Sequence, residues 1–176
     1  MKRLLPTTAL MAVLAACAGI EPAPPQPRFD AVAAVAAIRA AGTAGPAELV
    51  VKPLGNPQVG DLREQASALQ AQGRHADAAA ALDQALEISP NDPALLQERA
   101  EAALLLQDLD GAERLARRAI AIGTEVGPQC RRHWETILQV LTVRPATASD
   151  PASPAPTAAD ARRQRDACTV AAPPRY

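Results

Sequence analysis

Apolar residues recur at helical spacing along the middle of the chain. Val32, Val35 and Ile38 fall on one side of a short helix over 30–41, with Asp30 as its N-cap and Gly42 as its stop. Leu62, Ala66 and Leu69 start a second stripe, for which Asp61 is the candidate N-cap. Gly73 marks a turn, after which Ala78, Leu82, Ala85 and Leu86 continue the periodicity until Pro90. Asp92 then caps a further helix that has Pro93 in its first turn, where a missing N–H costs nothing. A loop is predicted over 123–130, followed by a helix over 131–143 with Trp134, Ile137, Leu138 and Leu141 on one face. Between Thr43 and Gly60, Leu49, Val50, Val51 and Leu54 lie among glycines and prolines, which predicts an extended segment packed along the bundle.

The helical pattern repeats. A step of 34 residues carries Leu62 onto Leu96, Ala66 onto Ala100, Leu69 onto Ala103, Ala78 onto Ala112 and Ala85 onto Ala119. Leu86 and Ile88 become Ile120 and Ile122. Small residues stand wherever two helix backbones must come closest. With Gly73 at the turn and Pro90 at the end, this pattern resembles the tetratricopeptide repeat, present in two copies. The second copy departs from it: Gln107 replaces the turn glycine, Ala116 the large residue equivalent to Leu82, and Thr124 the proline. The resemblance implies an all-α fold, a short solenoid of helical hairpins with about two repeats and a capping helix over 131–143. About three repeats are normally needed for a stable stack, so flanking pieces or a second copy of the chain must cover the ends.

Composition agrees with close-packed helices. Alanine is abundant, and the chain has one Trp, one Tyr and one Phe. Of 17 prolines, only Pro90, Pro93 and Pro128 lie between Asp61 and Leu141. The rest crowd the two ends. Pro22, Pro24, Pro25 and Pro27 predict an extended tether, which would reach roughly 34 Å if fully polyproline II. The tail over 144–176 opens with a Pro-, Ala-, Ser- and Thr-rich stretch and is expected to be disordered.

The head has its own pattern. Lys2 and Arg3 precede an apolar run from Leu4 to Ala16 that is too short to span a bilayer. The run ends in Leu14-Ala15-Ala16-Cys17, which resembles the lipobox of bacterial lipoproteins. That resemblance implies a signal peptide over 1–16, cleavage before Cys17, diacylglycerol on its sulfur and a further acyl chain on its amine. Several chains anchor a protein firmly where one does not. Ala18, in place of an aspartate, points to the outer membrane, with the folded part facing the periplasm. The expected organisation is a lipidated Cys17 and tether over 17–29, a short helix and extended segment over 30–60, repeats and cap over 61–143, and the tail.

The net charge of −1 leaves no basic surface for nucleic acid. No catalytic constellation is visible, and no cofactor is implied. Cys130 and His133 make half of a metal site without a second pair to complete it. With Cys17 acylated, Cys130 and Cys168 are a candidate disulfide, which an oxidising compartment permits. It would draw the basic cluster of Arg162, Arg163 and Arg165 towards the cap helix.

In tetratricopeptide proteins the first helix of each repeat lines a concave groove. Carried over, that groove would comprise Arg63, Ser67, Gln70, Gln97, Glu101 and Leu104. The family's carboxylate-clamp pattern is not matched, because Glu98 stands where a donor is needed. The expected role is a lipid-anchored scaffold or adaptor for a periplasmic or outer-membrane protein. The alternative is a structural subunit that self-associates through its repeat ends, with an enzyme a distant third.

Overall fold

The structure, a computed structural model, describes residues 29–45, 48, 55–144 and 155–169. The predicted signal peptide, most of the tether, the segment from Leu49 to Leu54 and the start of the tail lie outside the described residues.

Seven helices are present among the described residues: α1 (Ala31–Ala41), α2 (Pro57–Ala71), α3 (His75–Ile88), α4 (Pro93–Leu105), α5 (Leu109–Ile122), α6 (Gly127–Val143) and α7 (Ala158–Ala167). The fold is all-α, a short tetratricopeptide-like solenoid. Helices α2 and α3 pack as one hairpin, α4 and α5 as the next, and α6 and α7 as a third. Successive hairpins stack α3 on α4 and α5 on α6, while α1 lies across α4 and α6.

The two repeat turns are built alike. At the end of α2, the Gly73 amide donates to the Gln70 carbonyl at 3.0 Å and the Arg74 amide to that of Leu69 at 2.9 Å. At the end of α4, the Gln107 amide donates to Leu104 and the Asp108 amide to Leu69's counterpart Ala103, both at 2.9 Å. Both are Schellman caps, which satisfy the last carbonyls of a helix by placing one residue in the left-handed region. Gly73 does so at φ 74° and Gln107 at φ 63°. The 34-residue step therefore recurs in backbone hydrogen bonds as well as in side chains.

The small positions are buried as the register requires: Ala66, Ala78, Ala85, Ala100, Ala112 and Ala119 all lie inside the stack. Leu82 and Leu95 fill the first inter-hairpin core, and Ile137 and Leu138 the last. Asp30 accepts from the Ala33 amide at 2.9 Å, and Asp92 from those of Ala94 and Leu95 at 2.8 and 3.2 Å. Caps of this kind contribute about 1 kcal/mol each.

Three boundaries differ from the sequence expectation. Helix α2 begins at Pro57 and not after Asp61, because the Asn56 side chain accepts from the Gln58 amide at 2.9 Å and the proline occupies the first turn. Helix α6 begins at Gly127, so residues 127–130 are helical and not part of the loop; Gly127 takes φ 87° and its amide donates to the Cys168 carbonyl at 2.6 Å. The expected disordered tail contains α7. A capping box starts that helix, with the Thr157 and Asp160 side chains each accepting from the other's backbone amide at 3.2 and 2.8 Å.

Candidate functional site

The first helices of the hairpins, α2, α4 and α6, form one face of the stack, and α1 occupies much of it. Helix α1 buries Ala31, Ala34, Val35 and Ile38. Val35 and Ile38 pack with Ala103, Leu104, Ala112 and Val140. Alanine and valine give α1 a slim profile, so it sits close to the helices beneath it.

This placement corrects half of the expected groove. Gln97, Glu101 and Leu104 have no solvent exposure at all. Leu104 is core beneath α1. Glu101 accepts from Arg39 Nε of α1 at 2.9 Å, from Arg132 Nε of α6 at 2.6 Å and from Gln97 Nε2 at 3.0 Å. Gln97 also donates to Thr136 Oγ1 at 2.8 Å, and its Oε1 lies 2.8 Å from His133 Nδ1. A buried carboxylate is tolerated because two guanidinium groups and an amide satisfy it. These residues fasten α1, α4 and α6 together and are not available to a partner.

The other three, Arg63, Ser67 and Gln70, line what remains open. It is a cleft of about 440 Å³ bounded by Arg39, Gly60, Arg63, Glu64, Ser67, Gln70, Glu98 and Arg132, with Ala66 and Leu82 at its apolar floor. Arg63 grips Glu98 through both Nε and a terminal nitrogen, and this pairing raises the Arg63 pKa. Arg39 donates to Gln70 Oε1 at 2.8 Å as well as to Glu101. The carboxylates of Glu98 and Glu101 thus have both oxygens engaged. Arg132 binds Glu101 through Nε alone, so its terminal nitrogens keep donors to spare. The cleft therefore has an apolar floor and a polar rim, with surplus N–H donors from three arginines.

The remaining candidate residues lie elsewhere. Cys130 in α6 and Cys168, just after α7, are joined by a disulfide with their Cα atoms 5.7 Å apart. His133 is fully buried, and burial first, then the nearby Arg132 charge, lowers its pKa from 6.5 to about 4. Its Nε2 has no hydrogen-bond partner. Among the described residues no group of three potential metal ligands comes together. In the basic cluster, Arg165 donates to Glu135 Oε2 at 2.6 Å and Arg163 pairs with Asp160, so two of its three charges are matched within the chain.

Sequence reasoning missed Arg39 and Arg132 as cleft residues, and read Glu98 only as a mismatch to the carboxylate-clamp pattern. Arg39 stood alone in a short helix with no repeat register to place it. Arg132 lies on the cap helix, outside the two repeats from which the groove positions were carried over.

Two repeats in register, buried small positions and paired Schellman caps define the repeat type. Residues 69–130 match the family model of the tetratricopeptide repeat. The match runs from the end of α2 through α3, α4 and α5 into α6. The chain thus carries tetratricopeptide-like repeats, a scaffold architecture that generally mediates protein–protein interaction. No curated protein matches the chain.

Proposed function

We propose that the chain is a lipid-anchored adaptor of the bacterial cell envelope, which holds a periplasmic or outer-membrane protein in the cleft beside α1. The observation that carries the reading is the open, polar-rimmed cleft on the very face that such repeats use for partners. Because α1 fills the apolar part of that face, the cleft suits a polar segment rich in hydrogen-bond acceptors. Backbone carbonyls or carboxylates of the partner would receive the spare donors of Arg39, Arg63 and Arg132. The anchor rests on the head, where charge, apolar length and Leu14-Ala15-Ala16-Cys17 agree.

Two measurements test the two halves separately. A photo-crosslinking residue in place of Ser67, which is exposed in the cleft, should trap one protein in cells, and Arg63→Glu should abolish the trapping. The same crosslinker in place of Gln84, on the exposed side of α3, is the control. Equal products from both positions would remove the cleft from the reading. Cys17→Ser should release the protein from the membrane fraction; retention with unchanged mobility would remove the anchor.

A further inference from the structure

We propose that the Cys130–Cys168 disulfide is a latch that holds α7 over the last face of the solenoid, so that α7 docks in oxidised protein and leaves in reduced protein. The inference stands on the third hairpin alone and does not depend on the anchor or the cleft.

Apart from the bond, α7 is held against α6 by small side chains and two polar ties. It has ten residues, below the roughly 12–15 at which an isolated helix becomes stable in water. Most of them are charged or amide, and Ala161 is the only one fully buried. The largest apolar groups the segment brings to the core are alanines and the bonded Cys168. By contrast, the surface it covers is apolar: Ala158 and Ala161 join the cluster of Trp134, Ile137, Leu138 and Leu141. The polar ties are the Arg165–Glu135 ion pair and the Gly127 amide on the Cys168 carbonyl. Both sit at the end of α7 nearest the disulfide. Its covalent link spans 38 residues of sequence and fixes the chain where α6 begins and α7 ends. That fixation shortens the free connection between α6 and α7 and so raises the effective concentration of α7 at its docking surface.

Release requires a dithiol reductant. One of its thiolates attacks a sulfur of the disulfide and expels the other as a cysteine thiolate. Its second thiol then resolves the mixed disulfide. The protein gains two electrons and two protons as Cys130 and Cys168 thiols, and the reductant leaves as its own disulfide. Both sulfurs are buried, so exchange proceeds through fraying of the α7 end. Reduction then uncovers Trp134, Leu138 and Leu141 at the end of the stack.

Trp134 is the sole tryptophan and reports on this directly. The full-length protein would be compared before and after dithiothreitol, alongside Cys130→Ser/Cys168→Ser without reductant. Hydrogen exchange is read helix by helix, and Trp134 by acrylamide quenching. Reduced and double-variant protein should lose amide protection over residues 158–167 alone, and Trp134 quenching should rise about twofold, as local opening predicts. Helices α2 to α5 should keep their protection. If α7 stays protected after reduction, packing holds it and the latch is wrong. If all helices lose protection together, the bond supports the whole domain and the latch is equally wrong. Free thiols at both positions in protein isolated without reductant would also overturn it.

Discussion

Arg39 Nε stands 2.9 Å from Glu101 Oε2, a contact that spans 62 residues of sequence and joins α1 to the buried centre of α4. The two partners are not equivalent. Arg39 is half exposed and can be rehydrated, whereas Glu101 is fully buried and also satisfies Arg132 and Gln97. Removing Arg39 leaves the carboxylate with two donors. Removing Glu101 takes the carboxylate from two guanidinium groups at once, and that of Arg132 is mostly buried. Arg39→Ala should therefore cost about 1 kcal/mol, in the range of an exposed pair. Glu101→Ala should cost about 3–5 kcal/mol, as for a broken buried pair. Urea denaturation of both variants measures the contrast, and similar midpoints would mean that Glu101 is better hydrated than its burial indicates.

His133 makes stability depend on pH. Its pKa falls from 6.5 to about 4 in the folded chain, chiefly because burial disfavours the imidazolium. Between those values the unfolded chain takes up a proton that the folded chain refuses. Stability is thus greatest above pH 6.5, declines as pH falls towards 4 and changes no further from this group below that. The full loss is about 3 kcal/mol from linkage. His133→Gln replaces the imidazole with an amide that can still donate to Gln97 and does not titrate. Urea midpoints at pH 7 and pH 4.5 should converge in this variant relative to the unsubstituted protein. An identical pH dependence in both would assign the effect to carboxylates.

The solenoid was legible because its rules are local. Spacing gave the buried alanines, and Asp30, Asp92 and Pro93 gave helix starts, each from a few neighbouring residues. Asn56-Pro57 carried the same kind of signal for α2, although Asp61 offered a competing cap four residues on. The cleft was only half legible, because a polar residue on an inner helix looks the same whether a partner or another helix covers it. Gln97 and Glu101 owe their burial to Arg39, Arg132, His133 and Thr136, which reach them from distant helices. Periodicity says nothing about such partners. Helix α7 lacks an apolar stripe altogether, and only its capping box at Thr157 and Asp160 announced it.

Repeat register can be challenged with two alanines in the same helix. Ala78 is fully buried where α2 and α3 meet, while Ala76 faces solvent two residues earlier. Three added carbons at Ala78 have no space to enter without separating the helices. Ala78→Leu should cost about 1–3 kcal/mol or more, the usual penalty for overpacking. Ala76→Leu should change stability by less than about 0.5 kcal/mol, as most surface substitutions do. Equal melting temperatures for the two variants would contradict the register.

The two Schellman turns offer the last test, because one is built with the residue that suits it and the other is not. Gly73 and Gln107 occupy the same position in successive repeats, at φ 74° and 63°. A side chain there brings Cβ against the carbonyl oxygen, at about 1–2 kcal/mol relative to glycine. Glycine also gives the unfolded chain more freedom, which offsets about 0.5–1 kcal/mol of that difference. Gln107 is exposed, so its side chain contributes no buried contact that its removal would forfeit. Gln107→Gly should therefore stabilise the domain by about 0.5–1 kcal/mol, and Gly73→Ala should destabilise it by a similar amount. No heavy atom lies within 4 Å of a Cβ built at Gly73, so the loss there would come from the backbone and not from a clash. Thermal unfolding of the two single variants reads both effects. A Gln107→Gly protein less stable than the unsubstituted chain would show that Gln107 makes a compensating interaction in this turn.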